Sequence, residues 1–126
     1  MIVLNKVSTG GASQIQVQLG DAGGLENSGY VGTNHRADGT SLTTINGTSY
    51  FIVANGGGAA DPFCSVIHLH RSATGVQDWI CTWLTKQSTA ANNFGSGSKT
   101  LSGDLTQVAL LTNGTFDAGG FNVFYQ

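Results

Sequence analysis

Hydrophobic and polar residues alternate along most of this chain, most clearly from Gln14 to Leu19. There Ile15, Val17 and Leu19 share one face of an extended strand, and Gln14, Gln16 and Gln18 share the other. One face suits a core; the other is polar but uncharged. The alternation breaks at Gly20-Asp21 into a glycine-rich loop carrying Asp21 and Glu26 and ending at Tyr30. Glycine's access to positive φ allows such a tight excursion without a supporting helix.

The same reading extends along the chain. Met1 to Val7 reads as a strand and Ser8 to Ser13 as a turn. A start made directly on a strand suggests the C-terminal part of a longer protein or the product of an internal start. Val31 to Thr40 is polar, contains His35, Arg36 and Asp38, and reads as a loop. An Asn46-Gly47 hairpin turn is expected before a strand from Tyr50 to Ala54, which closes at Asn55 and three glycines. In Phe63 to Arg71, Phe63, Ile67 and Leu69 face one way and Cys64, Val66, His68 and His70 the other. After a turn at Ala73 to Gly75, Trp79, Cys81 and Trp83 share a face, so the two segments predict a hairpin whose tryptophans help fill the core.

Gln87 to Gly97 reads as another loop, rich in Asn, Ala, Ser and Gly, before a short strand that starts at Lys99. A strand over Thr106 to Thr112 runs into an Asn113-Gly114 turn, and the last strand places Phe121, Val123 and Tyr125 on one face. Six to nine short strands, with no helical period and no internal repeat, predict an all-β fold. The expected architecture is a single antiparallel β-sandwich or jelly-roll-like domain over residues 1–126.

Composition narrows the setting. Only 10% of the 126 residues are charged while 40% are hydrophobic, against about a quarter charged in an ordinary globular chain. The surface must therefore consist largely of Ser, Thr, Asn, Gln and Gly, a pattern of β proteins exposed outside cells or on virus particles. The apolar content and regular alternation argue against disorder. Net charge is −2 and the five basic residues are scattered, so the electrostatic footprint of nucleic-acid binding is missing. The sequence has no run of eighteen apolar residues and no secretory-signal pattern, and no membrane insertion is expected. Cys64 and Cys81 lie within strand-like runs and read as buried free thiols, a disulfide requiring that their strands be neighbours.

Several residues carry candidate chemistry. His68 and His70 project together from one strand face, a spacing that metal sites use, and symmetry copies in a trimer would supply further ligands. The ordinary reading, one packed histidine and one at a strand end, carries more weight, and no cofactor is otherwise expected. Asp21 and Glu26 supply paired carboxylates for glycoside hydrolysis or oxygen ligands for calcium, with turn capping by Asp21 the simpler role. The sequence contains neither a nucleophile elbow nor a phosphate-binding glycine loop. Asn46-Gly-Thr48 and Asn113-Gly-Thr115 match the glycosylation pattern, but asparagine-glycine turns account for both. Tyr30, His35, Arg36, Asn92, Asn93 and Phe94 offer loop aromatics, amides and a cation of the kind that stack on and hydrogen-bond a glycan.

Two segments resemble a known family. Gln18-Leu-Gly-Asp-Ala-Gly-Gly-Leu-Glu-Asn-Ser-Gly-Tyr30-Val-Gly is similar to a segment of β-sandwich domains in tailed-phage virion proteins, particularly tail fibres and tail spikes. The end of the chain, Leu105 to Tyr125 with its Phe-Asp-Ala-Gly element, resembles the terminal strands of those domains. The resemblance implies a non-enzymatic structural or host-attachment module, often a homotrimer, located in the virion among other virion proteins. It brings no catalytic residues with it. Two other readings stay open: a capsid decoration protein, and a small glycan-processing enzyme using Asp21 and Glu26.

Overall fold

A computed structural model describes residues 1–87 and 90–125. Its described residues form eleven strands and no helix, and the antiparallel strands assemble into two packed sheets, a β-sandwich. In chain order the strands are β1 (Ile2–Thr9), β2 (Ser13–Asp21), β3 (Gly24–Leu25), β4 (Tyr30–Asp38), β5 (Ser41–Gly47) and β6 (Phe51–Gly57). They continue with β7 (Phe63–Arg71), β8 (Asp78–Gln87), β9 (Asn92–Thr100), β10 (Gln107–Thr112) and β11 (Phe116–Val123). The larger sheet has seven strands in the order β11-β1-β7-β8-β9-β4-β5. The smaller has four and is built on β2, with β10 along one edge and β6 followed by β3 along the other.

The alternation in β2 works as expected. Ile15, Val17 and Leu19 are fully buried and pack against Leu4, Ile67 and other inward residues of the larger sheet. Phe51 on β6 is the aromatic centre. It meets Tyr30 edge-on at 4.9 Å and Trp83 at 6.1 Å. Burial of a ring of this size contributes about 2–3 kcal/mol, so the packing between sheets fixes which face of each strand points inward.

The β7–β8 hairpin forms as read, pairing Phe63 with Gln87 through to Arg71 with Trp79. The Asn113-Gly114 turn also forms, and Phe121 and Val123 lie beside the inward Leu4 and Ile2 of β1. Near its middle β1 carries a bulge: Lys6 has φ 50°, and the pairing with both neighbours shifts there. Gly119 on β11 accommodates it with φ 104°, since a Cβ at that position would lie 2.5 Å from the Lys6 carbonyl oxygen.

Several expectations are corrected. Residues 31–40 are mostly strand β4 rather than a loop, and the stretch from 92 to 97 belongs to β9. Residues 88 and 89, within the second expected loop, lie outside the described residues, as does Gln126 after the last strand. Asn46-Gly47 ends β5, and the turn falls on residues 48–50. Lys99 sits near the end of a strand rather than at its start. The reading of β4 and β9 as loops has one cause: their inward faces carry Asn34, Arg36, Asn93, Gly95, Gly97 and Lys99, so they lack the apolar alternation that marks a strand.

Candidate functional site

Six residues expected in ligand-binding loops lie on two paired strands. β4 and β9 place His35 opposite Phe94, Arg36 opposite Asn93, Ala37 opposite Asn92, and Tyr30 opposite Lys99. Because side chains alternate between faces, this register divides the six into two groups. His35, Asn92 and Phe94 face outward; Tyr30, Arg36 and Asn93 face the core.

The inward group serves the fold. Tyr30 is 2% exposed; its hydroxyl accepts the Leu19 N–H at 2.8 Å and lies 3.0 Å from the Glu26 carbonyl. Burial pushes its phenol pKa up. The hydroxyl fills a gap in the β2 ladder, between the last β6 pair at Val17 and the first β3 pair at Gly20. Asn93 is fully buried: its Oδ1 accepts from Asn34 Nδ2 at 3.1 Å and from the Asn55 N–H at 3.0 Å, and its Nδ2 donates to Gln87 Oε1 at 3.3 Å. Arg36 donates through Nε to the same Gln87 oxygen at 2.9 Å and pairs with Asp38 at 2.8 Å. Trp83 completes the network, its Nε1 donating to Asn34 Oδ1 at 2.9 Å. Buried amides that satisfy one another in this way hold β4, β8 and β9 in one register.

Asp21 and Glu26 do come together, through Ser102. The Ser102 hydroxyl lies 2.5 Å from Asp21 Oδ2 and 3.0 Å from Glu26 Oε1, and the Ser102 N–H donates to Glu26 Oε1 at 2.8 Å. Asp21 also caps its own turn by accepting the Gly23 N–H at 2.7 Å. Glu26 pairs with the nearly buried Lys99, whose hydrogen bond, followed by that of the Ser102 N–H, holds the carboxyl below the usual range. A general acid for glycoside cleavage needs the opposite shift, a raised pKa. The geometry supports a clasp tying the glycine-rich loop to the segment after β9.

His68 and His70 project from the outer face of β7 with rings stacked 5.8 Å apart and 9° from parallel. Among the described residues, no group of three or more His, Cys, Asp and Glu side chains is placed to hold a metal ion. Cys64 and Cys81 are free thiols, but only Cys81 is buried; Cys64 is exposed on the opposite face of the hairpin. Burial pushes the Cys81 thiol pKa up.

The outer face of the larger sheet brings together residues the sequence kept apart. Pairing across six strands aligns Val3, Val66, Leu84, Phe94, His35 and Thr44 in one row, from β1 to β5. Leu84 is 64% exposed, Phe94 40% and Val66 39%. The Phe94 and His35 rings lie 5.5 Å apart, and His35 Nδ1 is 3.0 Å from the Thr44 hydroxyl. Beside this apolar row runs a polar one, His68, Thr82, Ser96, Thr33 and Asn46, in which Thr33 Oγ1 bonds Asn46 Oδ1 at 3.0 Å. With strands about 4.8 Å apart, the row from Val3 to His35 spans roughly 19 Å. Sequence reading missed Leu84 and Thr82 because an outward residue on a strand gives no signal of its own; only the register reveals the row.

The chain matches no protein-family model, no curated protein and no solved structure.

Proposed function

We propose that the chain is a non-enzymatic structural module of a tailed-phage virion, a tail-fibre or tail-spike domain that contacts a host-surface glycan and works as a homotrimer. The observation that carries this reading is the exposed Phe94–His35 pair, set in an apolar row and flanked by Thr33, Ser96, Thr82 and Asn46. A sugar ring presents C–H groups that pack on such rings and hydroxyls that need fixed donors and acceptors. A sheet supplies both on a rigid frame, so little ordering entropy is lost on binding. The low content of charged residues suits a neutral ligand, and the two phage-like segments supply the virion context.

The test is binding of purified protein to a panel of bacterial surface polysaccharides, repeated with Phe94→Ala and Thr33→Val. Loss of binding in both folded variants supports the face; retained binding in both removes it. Native mass by sedimentation, with and without a chelator, tests assembly. A trimer that dissociates with chelator would make His68 and His70 metal ligands shared between copies, and a monomer would refute the trimer.

A further inference from the structure

Both sheets end on the same side of the sandwich, the larger at β11 and the smaller at β10. These consecutive strands are joined by the Asn113-Gly114 turn, and among the described residues neither pairs with a strand on its other flank. The sheets part there around a cavity of about 260 Å³ lined by Val7, Leu110, Phe116 and Phe121, and further along around a larger one whose walls include Val108, Val123 and Trp79. Free edges are normally guarded by lysine, proline or a bulge, because their unpaired N–H and C=O groups invite another strand. β10, Gln-Val-Ala-Leu-Leu-Thr, has no such guard: it carries no charge, proline or glycine and pairs with β2 in unbroken register. β11 carries one charge, Asp117, which accepts the Ser8 hydroxyl of its own chain at 3.1 Å, and its register shifts lie between Phe116 and Gly120. From Gly120 onward it is regular. Met1 and Phe124 exchange both backbone hydrogen bonds at 2.8 Å, so by alternation the N–H and C=O of Phe121 and Val123 point away from β1, toward the open side.

Three phenylalanines crowd this side. Phe116, Phe121 and Phe124 are 46%, 52% and 48% exposed, which at ~200 Å² per ring leaves on the order of 290 Å² of aromatic surface in water. The eight residues of β11 run for roughly 26 Å, and two sheets about 10 Å apart, with half that spacing beyond each, span about 20 Å, so the open side covers on the order of 500 Å². With the protruding rings the surface comes to about 800 Å², the amount a protein gives to a partner in a stable assembly. A partner for a free edge must itself offer one, and this chain offers two unlike edges side by side. When β11 of one copy adds to β10 of the next, every copy uses both edges and the inner faces join over Phe116, Phe121 and Leu110; a β11–β11 pair would leave β10 open. Head-to-tail contacts of this kind close into rings. We propose that the open side is the interface of the homotrimer, with β11 of one copy paired to β10 of the next. This interface presupposes the homotrimer proposed above and not the glycan contact, which lies on the outer face around Phe94.

The test combines sedimentation with amide hydrogen exchange on the full chain and on two variants that place a lysine on each edge, Phe121→Lys and Ala109→Lys. The wild type is expected to sediment as a trimer in which the Phe121 and Val123 amides exchange at least about tenfold more slowly than after dilution to the monomer. Both lysine variants should be folded monomers, while Phe94→Ala, on the outer face, should remain a trimer. A trimer whose Phe121 and Val123 amides exchange as fast as in the monomer overturns this interface and leaves the homotrimer standing on another surface. A monomer at every concentration overturns both. An assembly broken by Phe121→Lys but not by Ala109→Lys overturns the head-to-tail contact in favour of a β11–β11 pair. The wild-type exchange decides the matter even if a variant does not fold.

Discussion

Replacing Tyr30 by Phe removes one oxygen and keeps the ring, including its edge-on contact with Phe51 at 4.9 Å. That oxygen accepts the Leu19 N–H at 2.8 Å, in the part of β2 that lies beyond β6 and short of the β3 pairs. Leu19 is fully buried, so water has no access to replace the lost acceptor. A buried N–H left unpaired costs about 1–3 kcal/mol. For a chain of this length each kcal/mol moves Tm by roughly 3–5 °C, which gives an expected fall of about 3–15 °C. Calorimetry and urea unfolding measure it, with Tyr125→Phe, the same loss of a hydroxyl at a residue 91% exposed, as a surface control expected to change stability by less than about 0.5 kcal/mol. A Tyr30→Phe protein that melts within about 1 °C of the wild type would refute the reasoning, because the unpaired donor would then carry no cost. Loss of glycan binding at unchanged stability would instead return Tyr30 to the ligand contacts.

Other outcomes follow from the same geometry. Glu26→Gln should lower stability at neutral pH and flatten its acid dependence. The folded-state pKa of Glu26 is depressed, first by Lys99, so its contribution is complete above the ordinary carboxylate value near ~4.3 and is lost as pH falls through the depressed value. Melting curves of variant and wild type that run parallel from pH 7 to about pH 3 would exclude the clasp. Gly95→Ala would put a methyl 2.1 Å from the Thr33 carbonyl oxygen and 2.5 Å from Trp83 Cζ2. The crowding should cost about 1–3 kcal/mol, read from the urea midpoint. A thiol reagent should label Cys64 in the native protein and Cys81 only after unfolding; native labelling of both would contradict the burial of Cys81.

Strands with an apolar face were legible. β2, β7 and β8 bury Ile15, Val17, Ile67, Cys81 and Trp83 at alternate positions, and each was visible as a run of period two. β4 and β9 were not, because their inward faces are occupied by an amide network and by glycines that lie under Trp83 and Phe51. The candidate site suffered in proportion. Reading these strands as loops treated six neighbouring residues as equally accessible, whereas pairing sends Tyr30, Arg36 and Asn93 inward and leaves His35, Asn92 and Phe94 outside.

From the sequence alone came the all-β class, the inward faces of the apolar strands, the β7–β8 hairpin and the sparsely charged surface, because each depends on local spacing or on composition. Tertiary structure decided which strands lie side by side. Pairing between distant segments placed Phe94 beside Leu84 and His35, drew Asp21 and Glu26 onto Ser102, and parted the sheets around Trp79. No local pattern encodes those meetings: cross-strand register is a long-range choice, made by the sum of core packing and buried hydrogen bonds over the whole sandwich.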